Sequence, residues 1–447
     1  MVDRVRPGGP SDHRSGTAVL ATAMILVAAN LRIAIASVSP VLDEIRHGLH
    51  LSPGEAGLLT TVPVVCFGTF AFAAGPLTRW YGPDRLVPGI LLFLAAGILL
   101  RLVPSVGPLF AGTVVIGGAV AVGNVLMPSL VKREFPRRLG PATGAYSMSL
   151  FVGAALSAGL TVPLQSAFGL DWNEALALWA VPAVAAAVLW SSRLRPHRRA
   201  DAVRPSSSGP GGHRGPGQPG GSPGAGRSPV AGQSPVAGPP GASPVAEQPA
   251  PTLRALAGDP LAWAVTGFMG LQSLGYYATL AWVPSLLRAH GMSAGQAGWL
   301  LSFSSFPGMA AALATPSLAR RLRRQWVAVV AAVGLCAVAY VGLAVQPVAL
   351  AYLWMVVLGI GQGIGLSLAL SYIALRSPDV HHTGQLSTMA QGGGYLIACL
   401  GPVGLGVLHA ASGGWTVPML ALTALALAQL AAGVGASRDR HVLAGPR

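Results

Sequence analysis

The chain has 447 residues, 52% of them apolar and 10% charged, with a mean hydropathy of +0.58 and a formal net charge of +15. So few charges over this length argue against a soluble protein. The basic residues fall in short clusters between apolar runs and form no face with interleaved aromatics, which excludes a nucleic-acid binder and leaves a membrane protein.

The first 16 residues, "MVDRVRPGGPSDHRSG", are polar and basic, and the apolar run after them lacks a small-residue cleavage site. They read as a cytoplasmic tail before a retained first helix. A bilayer span takes about 20 apolar residues, and 17–41 supplies them, yet "AANLRIAIASVSP" sets Arg32 inside the run. Entering at Thr17 and rising about 1.5 Å per residue, the helix carries Arg32 about 22 Å inwards, past the middle of a core about 30 Å thick. A cation there costs at least about 2.5–3.5 kcal/mol unless it is paired or wet. All 14 acidic residues map outside the hydrocarbon, with Asp43, Glu44, Glu55, Asp171 and Glu174 on the outer side. Arg32 is then met either by carbonyls and amides or by a small anionic or electron-rich substrate suited to its planar fork, and the second is the preferred reading. Asn30 lies about 200° round the helix from Arg32; it is a candidate substrate contact or a brace.

Further spans are predicted at 54–78, 86–102, 108–131, 142–165 and 173–192. In the fourth, Pro128 deprives the Asn124 carbonyl of its helical donor, so Asn124 serves either that kink or the substrate. Residues 193–259 are rich in Gly, Pro and Ser and carry "SPVA" three times, the composition of a disordered cytoplasmic linker. Six spans follow, at 260–286, 294–318, 326–345, 349–375, 385–408 and 415–434. Polar residues recur near their middles: Gln272 with Tyr276, Gln362, and Gln391 with Tyr395. Spacing four sets each Gln beside its Tyr. Amides and phenols suit a pocket for a small polar solute, or equally interhelical bonds of about 0.6 kcal/mol each.

The glycine runs "GAALSAG", "GIGQGIG" and "QGGGYLIACLGPVGLG" lack a following Lys-Ser/Thr and read as sites of close helix approach and bending. Trp172, Trp326 and Trp415 fall at span ends, as an interfacial belt requires. Cys66, Cys336 and Cys399 stand in separate apolar runs as small core side chains, and adjacent His381 and His382 do not suit a metal, so neither metal nor cofactor is implied.

The spans make two sets of six, 17–192 and 260–434. With the N-terminus inside, 25 of the 29 Lys and Arg fall in the tail, linker, inner connections and C-terminus, so both termini, 1–16 and 435–447, are expected in the cytoplasm. The sets resemble each other. "SPVLDEIRHGLHLSPGEAGLLTTV" followed by "GPLTRW" parallels "VPSLLRAHGMSAGQAGWLLSFS" followed by "TPSLARR", placing Ala56-Gly57 on Ala297-Gly298 and Arg79 on Arg320. "VVIGGAVAVGN" and "VVLGIGQGIGL" place Gly117 on Gly359 and Gly123 on Gly365. Parallel repeats of this kind hold substrate at their interface near the midplane.

"ANLR", "SVSPVLDEI", "GNVLMPSLVKREFP" and "GAYSMSLFVGAALSAG" give the chain its family likeness. Over nearly all of 17–436 outside the linker it resembles the major facilitator superfamily, in the branch of the cyanate permease and the 2-nitroimidazole transporter. The resemblance implies an all-α membrane fold of twelve helices in two parallel six-helix bundles, alternating access and a central site. One departure is Arg79, standing where the family's loop after helix two usually has an acid, with Asp84 five residues on; it argues against a latch built on an acid at 79.

The expected function is secondary transport of a small anionic or polar organic solute, cyanate- or nitroimidazole-like, across the cytoplasmic membrane by a monomer whose partners are that solute and the bilayer. A proton-coupled drug or metabolite exporter is the alternative, but it usually wants a titratable acid in the membrane. A non-transporting receptor would need a folded module in the tail or linker. An enzyme is excluded because no helix offers a nucleophile–base pair, paired acids or a metal cluster.

Overall fold

Long apolar runs satisfy their backbone in lipid only by coiling into helices. The computed structural model, which describes residues 10–192, 252–319, 321 and 324–444, is built from helices and their connections with no strand among those residues. In chain order the helices are α1 (Pro10–Ala36), α2 (Leu42–Gly48), α3 (Pro53–Phe70), α4 (Ala74–Tyr81), α5 (Pro83–Leu100), α6 (Val106–Glu134), α7 (Leu139–Phe168), α8 (Trp172–Ala177) and α9 (Ala180–Ser192). There follow α10 (Leu253–Ala257), α11 (Pro260–Ala289), α12 (Ala294–Ala319), α13 (Trp326–Val345), α14 (Ala351–Leu375), α15 (Val380–Ala398), α16 (Leu400–Ser412) and α17 (Thr416–Ala436).

Among the described residues, 11 helical segments are long and apolar enough to cross a membrane. The expected span 260–286 is a helix of 30 residues, α11, but is not among the 11, its apolar surface interrupted by Thr266, Gln272, Ser273, Tyr276, Tyr277 and Thr279. Three expected spans are broken helices, and each break has a proline that leaves a carbonyl near it without a donor. Pro76 lies four residues past Phe72, in the 3-10 turn between α3 and α4; Pro182 four past Leu178, between α8 and α9; Pro402 four past Ala398, where α15 ends.

Two tails depart from expectation. Helix α1 begins at Pro10, inside the segment expected as a polar tail. Of the expected linker, 193–251 lies outside the described residues, but its last residues are ordered: Thr252 caps α10, Leu256 is buried, and Asp259 caps α11 through the Leu261 amide at 2.7 Å. After α17 the chain folds back. The Val442 amide donates to the Arg376 carbonyl at 2.8 Å, while Leu443 N–H (2.5 Å) and Arg440 (3.2 Å) donate to the Asp259 carboxylate.

The paired sequence stretches make paired contacts. Ser52 and Glu55 form a reciprocal capping box at the start of α3, and Ser293 and Gln296 exchange the same two hydrogen bonds at the start of α12, each satisfying amides a helix start leaves free. Gly117 of α6 abuts Cys66 and Pro63 of α3; Gly359 of α14 abuts Ser304 and Pro307 of α12. Gly123 meets Leu31 of α1, and Gly365 meets Gln272 of α11.

Contacts between the 17–192 and 260–434 sets run from mid-height to one end. Gly144 lies against the Leu313 carbonyl and Gly68 against Leu396. Gln391 donates to the Asn124 carbonyl at 2.7 Å, and Lys132 donates to the carbonyls of Ala374 (2.9 Å) and Ser377 at the end of α14. Asp84 instead pairs within its own set, with Arg133 at 2.6 Å.

A Cβ on Gly359 would come within 2.1 Å of the Ser304 carbonyl oxygen, whereas one on Gly334 meets nothing within 4 Å. Gly359→Val should therefore destabilise the protein by about 1–3 kcal/mol through overpacking and Gly334→Val by far less. Thermal unfolding in detergent compares the two, and equal midpoints would contradict the close approach of α12 and α14.

Candidate functional site

Arg32 lies about one turn before the end of α1 and is buried, 8% exposed. No carboxylate reaches it: the five ion pairs among the described residues involve Arg133 (twice), Arg376, His382 and Arg440. Its partners are phenols. The guanidinium donates to Tyr277 Oη at 2.6 Å and stands 6.0 Å from the centre of the Tyr276 ring. Both tyrosines come from α11, in the opposite set of helices. Tyr395 of α15 and Tyr146 of α7 lie close enough to sense the same charge.

The rings support one another edge to face. Tyr276 and Tyr277 have centroids 5.2 Å apart; Tyr277 and Tyr395, 6.3 Å; Tyr395 and Phe67 of α3, 5.2 Å; Tyr276 and Phe151 of α7, 6.4 Å. Such pairs each contribute about 0.5–1.5 kcal/mol beyond area burial. A cavity with room for about one water molecule lies between Arg32, Phe151, Gln272, Ser273, Tyr276 and Tyr277. The Tyr276 hydroxyl makes no hydrogen bond among the described residues, and two polar groups at this level, Tyr146 Oη and Asn124 Nδ2, are buried without a partner.

The candidate residues separate into those drawn to Arg32 and those drawn elsewhere. Gln272 and Tyr276 line its cavity, and Tyr395 adjoins it. Gln391, one turn from Tyr395, donates to the Asn124 carbonyl and to Ser387 Oγ at 2.9 Å; the first acceptor is the carbonyl Pro128 releases. Asn30 is not brought to the cavity: its Nδ2 donates to the carbonyls of Leu26 (2.8 Å) and Pro182 (3.1 Å), bracing α9. Nor is Gln362, which donates to Thr279 Oγ1 at 3.1 Å beside Tyr340. Among the described residues no group of three His, Cys, Asp or Glu is placed to hold a metal.

Sequence reasoning missed Tyr277, whose hydroxyl accepts from Arg32 at 2.6 Å, because spacing four paired Gln272 with Tyr276. The same spacing joins Ser273 to Tyr277, and that pair also lines the cavity. It also missed the depth of Arg101. That second guanidinium is 2% exposed and donates to the Ala34 carbonyl and to Thr113 Oγ1, both at 3.0 Å.

A family model described as Major Facilitator Superfamily matches residues 20–402 and, separately, 269–440. The chain is 33% identical to the 2-nitroimidazole transporter of Escherichia coli (strain K12), covering 95% of this chain and 96% of that one. It is 30% identical to the cyanate transport protein of the same organism, over 88% and 90% of the two chains. In fold it is similar to a solved proton:xylose symporter, with a TM-score of 0.68 at 12% identity over 94% and 95% of the chains.

Tyr277→Phe removes a hydrogen bond to a buried charge, worth about 1.5–3 kcal/mol. It should lower the unfolding midpoint in detergent more than Tyr276→Phe, and equal midpoints would show that the Tyr277 hydroxyl is not holding Arg32.

Proposed function

Because the chain belongs to the major facilitator superfamily, we propose that it is a secondary transporter of a small anionic or electron-rich organic solute, bound at Arg32 between two six-helix repeats. With α11 counted beside the 11 more apolar segments, the spans are twelve. The repeats comprise 17–192 and 260–434, joined by a cytoplasmic linker, and both termini lie in the cytoplasm. The matching capping boxes and glycine contacts support the repeat, and the distribution of Lys and Arg supports the orientation.

One observation carries the substrate class: a buried guanidinium held by neutral phenols with no carboxylate to neutralise it. Such a charge is costly unless something electron-rich completes it. The two curated relatives are named for 2-nitroimidazole and for cyanate, and a nitro group and a cyanate ion both present electron-rich ends that a guanidinium fork recognises. Gln272, Tyr276 and Tyr395 complete the pocket, with the unpartnered Nδ2 of Asn124 on its flank near Gln391, while Asn30 and Gln362 brace helices. A single chain contains the whole pathway. In the described state the cytoplasmic end is shut, with Lys132 of one repeat on the end of α14 of the other, and rocking of the repeats exposes the site to each side in turn.

The test is a thermal-shift screen of wild type and Arg32→Ala against nitrate, cyanate, carboxylates and nitroimidazoles. A ligand at 100 times its dissociation constant stabilises the folded state by about 2.7 kcal/mol, and the expected compound shifts wild type alone. A compound that shifts both proteins equally would place the substrate away from Arg32.

A further inference from the structure

We infer that the empty binding centre takes one net positive charge across the membrane field each time it crosses unloaded, with no proton accompanying it. This rests on the reading of Arg32 as the central cation. A guanidinium does not lose its proton in proteins. Among the described residues the titratable groups around it, Tyr276 and Tyr277 from α11, Tyr395 from α15 and Tyr146 from α7, are phenols, and Gln272 and Ser273 beside it carry no charge.

Among the described residues no ion pair places a carboxylate on Arg32. The described carboxylates stand at helix ends. Asp43, Glu44, Glu55, Asp171 and Glu174 are exposed. Asp84 and Glu134 pair with Arg133, Asp259 with Arg440, Asp439 with Arg376, and Asp379 with His382. His409 sits at the end of α16, stacked on Trp415 with centroids 3.9 Å apart. Arg101 is bonded wholly within the first repeat, to α1 and α6, so it does not change compartments when the central site does.

A bound monovalent anion brings the centre to neutrality. The loaded carrier then crosses indifferent to voltage, and the empty one crosses as a cation. Exchange of one anion for another is electrically silent, whereas net flow follows the membrane potential. An inside-negative potential draws the empty site to face the cytoplasm, where it loads, so net flow is export; uptake proceeds against an anion leaving.

The empty carrier is tested without any substrate, so the result stands apart from the ligand screen. Thr143 is 4% exposed and lines a second cavity, between α7, α12 and α14 at the closed cytoplasmic end, with Ser371 on the opposite wall. Thr143→Cys, or Ser371→Cys should the first fail to fold, is placed in a background with Cys66, Cys336 and Cys399 changed to Ala. Inside-out vesicles hold the potential with potassium and valinomycin, and an impermeant maleimide attacks from the cytoplasmic face. Labelling should quicken as that face is made negative, by up to about fifty-fold for 100 mV acting on one charge. The slope should persist in Arg32→Lys, vanish in Arg32→Gln, and be unmoved by changing pH from about 6 to 8 at zero potential. Labelling that ignores the potential, that keeps its slope in Arg32→Gln, or that responds to pH at zero potential overturns the inference.

Discussion

A buried guanidinium needs hydrogen-bond partners, and the structure supplies one to Arg32 from across the interface between 17–192 and 260–434. Arg32 belongs to α1, and its phenol partner Tyr277 belongs to α11. The aromatic contacts likewise alternate between repeats, Phe67 with Tyr395 and Phe151 with Tyr276. Neither set of helices alone holds the cation, so its burial and the association of the two sets are one problem. Among the described residues no carboxylate pairs with Arg32, and a neutral hydroxyl meets it instead.

The segment of α1 around Arg32 is held by close packing and by a side-chain bond to its backbone. Gly153 of α7 lies against the backbone of Ala29, Gly123 of α6 receives Leu31, and Arg101 grips the Ala34 carbonyl near the end of α1. Three helices thus clamp α1 within three residues of Arg32 on either side. A larger residue at Gly153 would meet the Ala29 carbonyl oxygen at 2.2 Å, and a displacement of α1 would carry the guanidinium with it. Arg101 belongs to this clamp: its charge is spent on a helix end, where the exposed carbonyls carry partial negative charge.

Most of the spans were legible because apolar length is a strong signal and lipid permits few alternatives. The likeness of the two halves was legible at Ala56-Gly57 and Ala297-Gly298; the matching caps just before them, Ser52 with Glu55 and Ser293 with Gln296, emerge from the structure. The Asn124 carbonyl freed by Pro128 found Gln391, a pairing whose one half was visible in the chain and whose other half needed the fold. The helix breaks near Pro76, Pro182 and Pro402 were visible as prolines but passed over, because hydropathy reads straight through them. What could not be read was which face of α11 meets α1. Tyr276 and Tyr277 are adjacent and point about 100° apart, and only packing decides that Tyr277 takes the hydrogen bond while Tyr276 offers its ring.

The contact of Lys132 with the end of α14 follows a different physical logic from that of Arg32. Lys132 ends on two neutral carbonyls at the C-terminus of α14, a contact strengthened by the helix dipole. Within the first repeat, by contrast, Arg133 is held by Asp84 at 2.6 Å, a pair that keeps α5 and α6 together. The ion pair thus lies within one set of helices, while the Lys132 contact between the sets uses neutral acceptors. The receiving end of α14 is itself fastened: Arg376 binds the carbonyls of Ala436 and Ser437, and the returning tail donates from Val442 to the Arg376 carbonyl. That strap ties α14 to α17, so when Lys132 lets go, the end of α14 leaves as part of its bundle and does not fray.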